Sequence, residues 1–298
     1  MKKLWLPLLL SVLVCAALII FASQKKPDTG ITAPNSPPER IVSLAPNITE
    51  ILFALGLGDK LVAVSNDSDY PPEAGDINKV GTFLQPSTES IIAAKPDLVI
   101  TLWFEQQKSV ANTLERLGYK VLVLRMKKIS ELPESIQQIG IATASQKKAE
   151  MLAKTIENKI NELKARYSRA EKTKVLLVIW EEPLRVAGRN TFLNEVIETA
   201  GGENAIGKTL QEYPSISTEQ TLSCGAEVII QSAMSKDNIE TQQKNAEHFW
   251  SEYPNLPAVK NGRIYVLYSD ALLRLGPRLP EGIDVIANCL YGGRSEKQ

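Results

Sequence analysis

Histidine and cysteine are scarce in this chain of 298 residues, which has one histidine and three cysteines. A zinc or manganese site normally needs several imidazole or thiolate ligands, and a nucleophile normally needs a nearby base. His248 lies beside Phe249 and Trp250 in a stretch with helical spacing, where a structural role is expected. Cys224 and Cys289 could form a disulfide or remain small buried residues, and the second interpretation is favoured. We therefore predict no metal site, no cofactor and no catalytic residues.

Net charge is also absent, because Lys and Arg total 34 and Asp and Glu total 34. Nucleic-acid binding requires a basic surface, so the composition excludes it. There is no G-x-S-x-G of hydrolases. Residues 202–209, GENAIGKT, match the phosphate-binding pattern G-x-x-x-x-G-K-[ST], but they follow a predicted helix and run into a loop. Because that motif works only between a strand and a helix, we interpret the match as a coincidence.

An apolar run occupies residues 4–22, between two pairs of lysines. This pattern is typical of an export signal, and the run approaches the ~20 residues that span a bilayer. Residues 1–26 are therefore predicted to be a cleaved signal peptide or a retained N-terminal anchor, with lipidation of Cys15 as a third alternative. Residues 27–38 have the composition of a linker. Either fate places the rest of the chain in the periplasm.

One stretch of the sequence occurs twice. Ser87-Thr88-Glu89 recurs 130 positions later as Ser217-Thr218-Glu219, and at the same displacement Phe83 corresponds to Tyr213. Each copy is typical of a loop with an aromatic residue, a helix start, about two helical turns and a buried strand. The duplication predicts an α/β fold of two similar lobes with mainly parallel sheets and a cleft between them.

Residues 145–170 separate the two copies and contain neither Gly nor Pro. Ser145 is suited to cap a helix here, and apolar residues recur every three or four positions. The apolar positions are Ala149, Leu152, Ile156, Ile160, Leu163 and Tyr167. We predict one long connecting helix between an N-terminal lobe at 39–144 and a C-terminal lobe at 171–293.

Aromatic residues follow the ends of several predicted strands. In open parallel sheets ligands bind beyond the carboxyl ends of the strands, and exposed aromatic residues there indicate binding. Flat rings converging in a cleft suit a bulky, partly apolar ligand, although we expect at least one ring to pack at the hinge instead. These residues are Tyr70, Phe83, Trp103, Trp180 and Tyr213.

Pro46 lies at the same edge, just after a strand predicted at residues 40–44. Asn47 is followed three residues later by Glu50, a spacing similar to a capping box, so we predict that Asn47 caps the next helix. Glu89 and Glu219 lie in the first turns of the repeated helices, where they favour the helix dipole. Their symmetric placement also suits docking to a symmetric partner with paired cations.

Five motifs are RIVSLAPNITE at 40–50, SDYPP at 68–72, KPDLVI at 95–100, AGGEN at 200–204 and SDALLRLGPR at 269–278. Together they resemble the periplasmic vitamin B12-binding proteins of ABC importers, over residues 40–290. RIVSLAPNITE, KPDLVI and AGGEN are shared with related siderophore and haem binders. SDYPP and the S-D-x-x-x-R loop are closer to the corrinoid branch. Phe83 and Tyr213 depart from the pattern, since a Trp is common at both positions.

The resemblance implies lobes joined by one helix, with small opening motions and a monomeric state away from the transporter. It implies that Glu89 and Glu219 meet arginines on the two permease subunits, which work with an ATPase. Pro46, Asn47 and Trp103 complete the candidate ligand-binding set, whose other members the resemblance places against cobalamin or a related corrinoid. Those members are Tyr70, Phe83, Trp180, Tyr213, Asp270, Ala271, Leu272, Leu273 and Arg274.

Two alternatives remain beside a non-enzymatic corrinoid-binding protein. A haem or ferric-siderophore binder could share the fold; haem would require an axial ligand, for which Tyr70 is the best candidate, and a ferric siderophore would require a basic cleft. An exported two-domain α/β enzyme would depend on residues such as Asp270 or Glu182 for turnover. All three place the ligand at the strand ends.

Overall fold

The computed structural model describes residues 34, 36–168, 171–233 and 235–292. The signal or anchor predicted for residues 1–26, with Cys15, lies outside these residues, as does most of the predicted linker. None of the described helices has the length and apolar character needed to cross a bilayer. From Pro34 onward the chain forms one compact unit, which contains two sheets.

The first lobe contains four parallel strands with helices between them. Its strands are runs of Val, Ile and Leu, which suit a sheet that is buried on both faces. The elements are β1 (Ile41–Ser43), α1 (Pro46–Ala54), β2 (Leu61–Val64), α2 (Thr88–Ala93), β3 (Leu98–Leu102), α3 (Glu105–Arg116) and β4 (Val121–Leu124). The spatial order is β2-β1-β3-β4.

The second lobe follows two helices, α4 (Leu132–Ala142) and α5 (Gln146–Tyr167). Its elements are β5 (Thr173–Trp180), β6 (Arg185–Val186), α6 (Phe192–Thr199), β7 (Gly202–Asn204), α7 (Thr218–Ser223), β8 (Val228–Ser232), α8 (Ile239–Trp250), α9 (Pro257–Lys260), β9 (Ile264–Leu267), α10 (Asp270–Leu273) and α11 (Leu279–Tyr291). Parallel pairing in the order β7-β5-β8-β9 reproduces the first sheet, and β6 adds an antiparallel edge beside β5. The predicted two-lobed α/β fold is confirmed.

The duplicated stretch gives the same structure in both lobes. Helices α2 and α7 are each six residues long, strands β3 and β8 are each five, and both pairs are displaced by 130 residues. Ser87 and Ser217 cap the two helices by accepting the backbone N–H of Ser90 and Gln220, each at 3.2 Å. The tripeptide repeat therefore marks a repeated supersecondary unit rather than a chance match.

Helix α5 is 22 residues long, about 33 Å at the usual helical rise. Its buried residues are Ala149, Ala153, Ile156, Ile160 and Leu163, so Ala153 replaces the predicted Leu152 in the buried stripe. Ser145 precedes the helix, but its side chain does not cap it; the hydroxyl lies 2.7 Å from that of Thr143. At its other end the ring of Tyr167 stacks on Tyr291 of α11, so the helix reaches both lobes.

Sequence reasoning missed α4, which precedes α5 and packs along it. Gly140 interrupts its pattern of helix-forming residues, and Gly in a helix interior normally costs about 1 kcal/mol relative to Ala. The structure gives the reason for this residue, because a β-carbon at position 140 would collide with the β-carbon of Ala149. The sequence analysis also missed strand β7, at residues 202–204. No helix follows residues 202–209 before Thr218, which agrees with a coincidental phosphate motif.

The contact between α4 and α5 gives a prediction of stability. Gly140→Ala should destabilise the protein by about 1–3 kcal/mol, because overpacking two touching helices outweighs the helix propensity that Ala gains. The free energy of unfolding in urea measures the effect. Glu134→Ala, an exposed position of the same helix, is the matched control and should stay within about 0.5 kcal/mol. A more stable Gly140→Ala variant would contradict the close packing.

Candidate functional site

Phe83 and Tyr213, the paired aromatic residues of the repeat, line one cavity of about 660 Å³. This volume is within the ~300–1,000 Å³ typical of small-molecule sites. Residues of both lobes contribute to its wall, as the cleft prediction requires. The sequence-predicted site residues that line it are Pro46, Asn47, Phe83, Tyr213, Asp270, Leu273 and Arg274.

Phe83 is held in the cavity wall by hydrogen bonds to its backbone. The amide nitrogen of Gln107 donates to the carbonyl oxygens of Phe83 at 2.8 Å and Leu44 at 2.9 Å. Its amide oxygen accepts the N–H of Leu102 at 2.9 Å, and a carboxylate oxygen of Asp67 accepts the N–H of Phe83 at 2.7 Å. Gln107 therefore joins the ends of two strands to the loop that carries the ring.

The two consecutive aromatic residues after β3 have different surroundings. Phe104 lines the cavity and meets Phe83 edge-on, with ring centroids 5.2 Å apart. Trp103 does not line it; its ring lies 4.9 Å from the ammonium of Lys108 and 4.8 Å from the guanidinium of Arg125. Successive side chains of an extended chain point to opposite sides. The sequence pattern selected Trp103, which does not line this cavity, so its ligand contact remains a prediction.

Other lining residues were not predicted. Phe192 begins α6, Met126 follows β4 and Leu84 follows Phe83. All three lie at the same edge of the sheets as the predicted residues, so their position after a strand or at a helix start was the available signal. Together with the rings they make the wall largely apolar.

Tyr70 lies outside the cavity lining. Its ring is covered by the guanidinium of Arg278, 3.7 Å from the centroid, an arrangement that gives a cation–π attraction. Arg278 was not singled out by the sequence, although it ends the same RLGPR segment that contains Arg274. Tyr70 therefore contacts the C-terminal segment while remaining 42% exposed, and its ligand contact remains a prediction.

Trp180 lines a separate cavity of about 440 Å³ with Glu181 and Glu182. Its indole N–H donates to the carbonyl of Glu182 at 2.9 Å. Ala271 and Leu272 are buried in α10 and do not line the cavity that contains Phe83. The ligand contacts proposed for these three residues remain predictions.

A buried carboxylate, Glu50, joins the C-terminal segment to the first lobe. Its side chain is 2% exposed and accepts two hydrogen bonds from Arg278, at 2.6 and 3.0 Å. Arg274 donates to the same carboxylate at 3.2 Å and to Asp69 at 2.8 Å. Arg274 also lies 3.3 Å from a carboxylate oxygen of Asp270. A buried charge is tolerated only when it is paired and hydrogen-bonded, and this one is.

The pKa values follow from these contacts. Burial disfavours the charge on Arg274, but Asp69, Asp270 and Glu50 more than compensate and raise its pKa. The pKa of Arg278 is raised in the same way, with burial opposed by Glu50. Burial raises the pKa of Tyr213 to about 12, with a smaller contribution from Glu212. The phenol of Tyr213 therefore keeps its proton near neutral pH and can donate a hydrogen bond into the cavity.

The predicted cap at Asn47 is wrong. Helix α1 has Ala45 at its N-cap position, no side chain caps it, and Asn47 lies inside the first turn. Its amide instead donates to the carbonyl of Leu275 at 3.0 Å and to the sulfur of Met126 at 3.7 Å. Pro46 can open the helix because its missing N–H would have no helical partner, which frees Asn47 and Glu50 to contact the second lobe.

Glu89 and Glu219 are exposed in the first turns of α2 and α7. Their placement at equivalent positions of repeated helices agrees with the symmetry on which the docking prediction rests. Within the described residues no group of three or more His, Cys, Asp or Glu side chains could hold a metal ion. Cys224 and Cys289 are both free thiols.

Comparison with known proteins gives the family. A family model of periplasmic binding proteins matches residues 41–271. The chain belongs to the periplasmic binding protein family. A vitamin B12-binding protein of Vibrio parahaemolyticus is 35% identical over 268 residues, 89% of this chain and 92% of the relative.

Solved structures of periplasmic binding proteins share the fold. The periplasmic vitamin B12 binding protein BtuF of Vibrio cholerae aligns with a TM-score of 0.76 and 30% identity, over 87% of this chain and 99% of that chain. The periplasmic heme-binding protein RhuT from Roseiflexus sp. RS-1 aligns with a TM-score of 0.75 and 26% identity, over 85% and 98%. Family membership implies an extracytoplasmic location.

The contact between the lobes of this periplasmic binding protein gives a second prediction. Glu50→Gln removes the charge that two part-buried arginines share, so it should lower the free energy of unfolding by about 3–5 kcal/mol. Glu39→Gln is the matched control, because Glu39 pairs with Lys60 at the surface and should lose at most about 1 kcal/mol. Equal effects of the two variants in urea unfolding would show that Glu50 is not a buried structural charge.

Proposed function

We propose that this chain is a non-enzymatic solute-binding protein that captures cobalamin or a related corrinoid in the 660 Å³ cavity. The proposal rests mainly on one observation: rings from both lobes line a single cavity, in a chain 35% identical to a vitamin B12-binding protein. The four rings are Phe83, Phe104, Phe192 and Tyr213. No cofactor is needed for this role.

Burial of apolar ligand surface against these rings would supply most of the affinity. Each aromatic contact contributes about 1–3 kcal/mol when it is fully buried. Polar groups at the edge of the cavity would set the orientation of the ligand: Asp270, Asn47 and the phenol of Tyr213 lie there. Cobalt need not be ligated by the protein, because corrin supplies its own equatorial nitrogen atoms.

A comparison of ligands tests the proposal. Purified protein is mixed separately with cyanocobalamin, haem or a ferric siderophore, desalted and examined by visible spectroscopy. A retained corrinoid spectrum is the expected result, and loss of cyanocobalamin on desalting together with no heat of binding in titration calorimetry would refute the proposal.

Haem is the alternative on the same fold, in keeping with the structural similarity to a heme-binding protein. Tyr70, the axial ligand suggested by sequence, lies outside the cavity lining with its ring against Arg278. Met126 and Tyr213 do line the cavity and carry atoms that can ligate iron. The same desalting experiment distinguishes a haem spectrum from a corrinoid spectrum.

Two adjacent aromatic residues provide a matched test of the cavity. Phe104→Ala should weaken corrinoid binding by about 1–3 kcal/mol, roughly 5- to 150-fold, because it removes a ring from the wall. Trp103→Ala removes a ring outside the wall and should leave the dissociation constant nearly unchanged. Titration calorimetry measures both. A larger loss with Trp103→Ala would place the ligand elsewhere.

We also propose that the protein delivers its ligand to an ABC importer, with Glu89 and Glu219 contacting arginines on the two permease subunits. Both residues are exposed at equivalent positions of repeated helices, as a pseudo-twofold contact requires. The protein would act in the periplasm as a monomer away from the transporter, with residues 1–26 removed or kept as an anchor.

Charge reversal tests the docking contact. The double variant Glu89→Lys/Glu219→Lys should abolish uptake of labelled cobalamin by cells that carry the cognate importer, while ligand affinity in calorimetry stays unchanged. Glu150→Lys/Glu157→Lys, on exposed positions of α5, controls for the change in net charge and should transport normally. Normal uptake by the first double variant would disprove this docking mode.

A further inference from the structure

The cavity has no cation available for a ligand among the residues described in its wall. Its charged lining residues are Asp67, Asp270 and Arg274. The two terminal nitrogen atoms of Arg274 donate to Glu50, Asp69 and the carbonyl of Asp67, at 3.2, 2.8 and 3.1 Å. One of them is also 3.3 Å from Asp270. The positive charge of Arg274 is therefore engaged by Asp69, Asp270 and a third carboxylate, Glu50, that it shares with Arg278.

Nearby cations outside the wall have other contacts, and two of them, Lys108 and Arg125, lie over the ring of Trp103, which does not line the cavity. Arg278 is paired with Glu50 and covers Tyr70. The ammonium of Lys79 donates to the carbonyls of Ser68 and Ala74. Lys127 pairs with Glu212 at 2.7 Å, and Lys236 lies over the ring of Tyr268. A ligand anion in the cavity would have to displace one of these contacts.

The carboxylates of the wall, in contrast, retain capacity to accept hydrogen bonds. Asp67 accepts the N–H of Phe83 through one oxygen, and Asp270 faces Arg274 through one oxygen. An ionised carboxylate has about four lone-pair sites on its two oxygens. Neither aspartate is fully buried, so each has carboxylate surface that a ligand can contact.

We propose that Asp67 and Asp270 make this cavity selective for macrocycles whose side chains end in amides, and against macrocycles whose side chains end in carboxylates. The inference rests on the proposed corrinoid-binding function and specifies its substrate class. Primary amides donate hydrogen bonds to the two carboxylates. Carboxylates of a ligand meet like charges, with no unpaired cation among the described residues of the wall, and this weakens their binding. Haem and carboxylate-rich siderophores belong to the rejected class.

Two corrinoids with the same ring system test this selectivity. Dicyanocobinamide has amide side chains, whereas dicyanocobyrinic acid has carboxylate side chains. At neutral pH, titration calorimetry should show dicyanocobyrinic acid binding roughly 100-fold more weakly than dicyanocobinamide. Equal affinities, or tighter binding of the acid, would overturn the selectivity while leaving corrinoid binding intact. Binding of neither compound would refute the proposed function itself.

Variants assign the selectivity to the two aspartates. Asp67→Asn and Asp270→Asn keep an acceptor oxygen, so the backbone of Phe83 and the loop of Arg274 can keep their contacts, and thermal unfolding checks that each variant is folded. Each should narrow the ratio of the two affinities by about 10-fold. Asp59→Asn, at the amino end of β2 and away from the cavity, should leave the ratio unchanged. An unchanged ratio in the folded double variant Asp67→Asn/Asp270→Asn would overturn the assignment.

Discussion

The side chain of Glu50 is a buried negative charge shared by two arginines from the far end of the chain. Removing a charge of this kind from water is costly unless every partner is in place, so the network favours the observed packing of the segment from Asp270 to Arg278. That segment also supplies Leu273, Arg274 and Leu275 to the cavity. The shape of the site therefore depends on an ion-pair network beside it.

This dependence changes the role expected for Arg274. An arginine beside a ligand cavity ordinarily indicates an anionic ligand, because its guanidinium matches carboxylate and phosphate geometry. Here the guanidinium of Arg274 is already paired with Glu50, Asp69 and Asp270. What remains for a ligand is an apolar wall with acceptor oxygens and one protonated phenol. The net charge that the cavity presents to a ligand therefore depends on residues outside its lining, Glu50 and Asp69, because they pair with Arg274.

The sequence predicted the fold through its repeat, since Ser87-Thr88-Glu89 and its copy begin equivalent helices before equivalent strands. It also predicted a site at the strand ends, and seven of the predicted residues line one cavity there. It could not decide between Trp103 and Phe104, because the direction of a side chain in a loop depends on tertiary contacts such as those of Gln107. It read Glu50 as a local capping residue, since nothing within the α1 sequence reveals a partner 228 positions away.

Duplication accounts for one pair of lining rings, Phe83 and Tyr213, but not for Phe104, Phe192 or the charges. Helices α1 and α6 both begin at the cavity, with Pro46 and Phe192 as their first residues. Counted from those residues, Glu50 in the first lobe corresponds to Val196 in the second, and both are buried. The buried ion pair therefore exists on one side of the cleft only. Phe83 and Tyr213 line the cavity from both lobes, whereas the network of Glu50 has no counterpart at the equivalent position of the second lobe, so the two sides of the cavity share an aromatic residue but differ in charge.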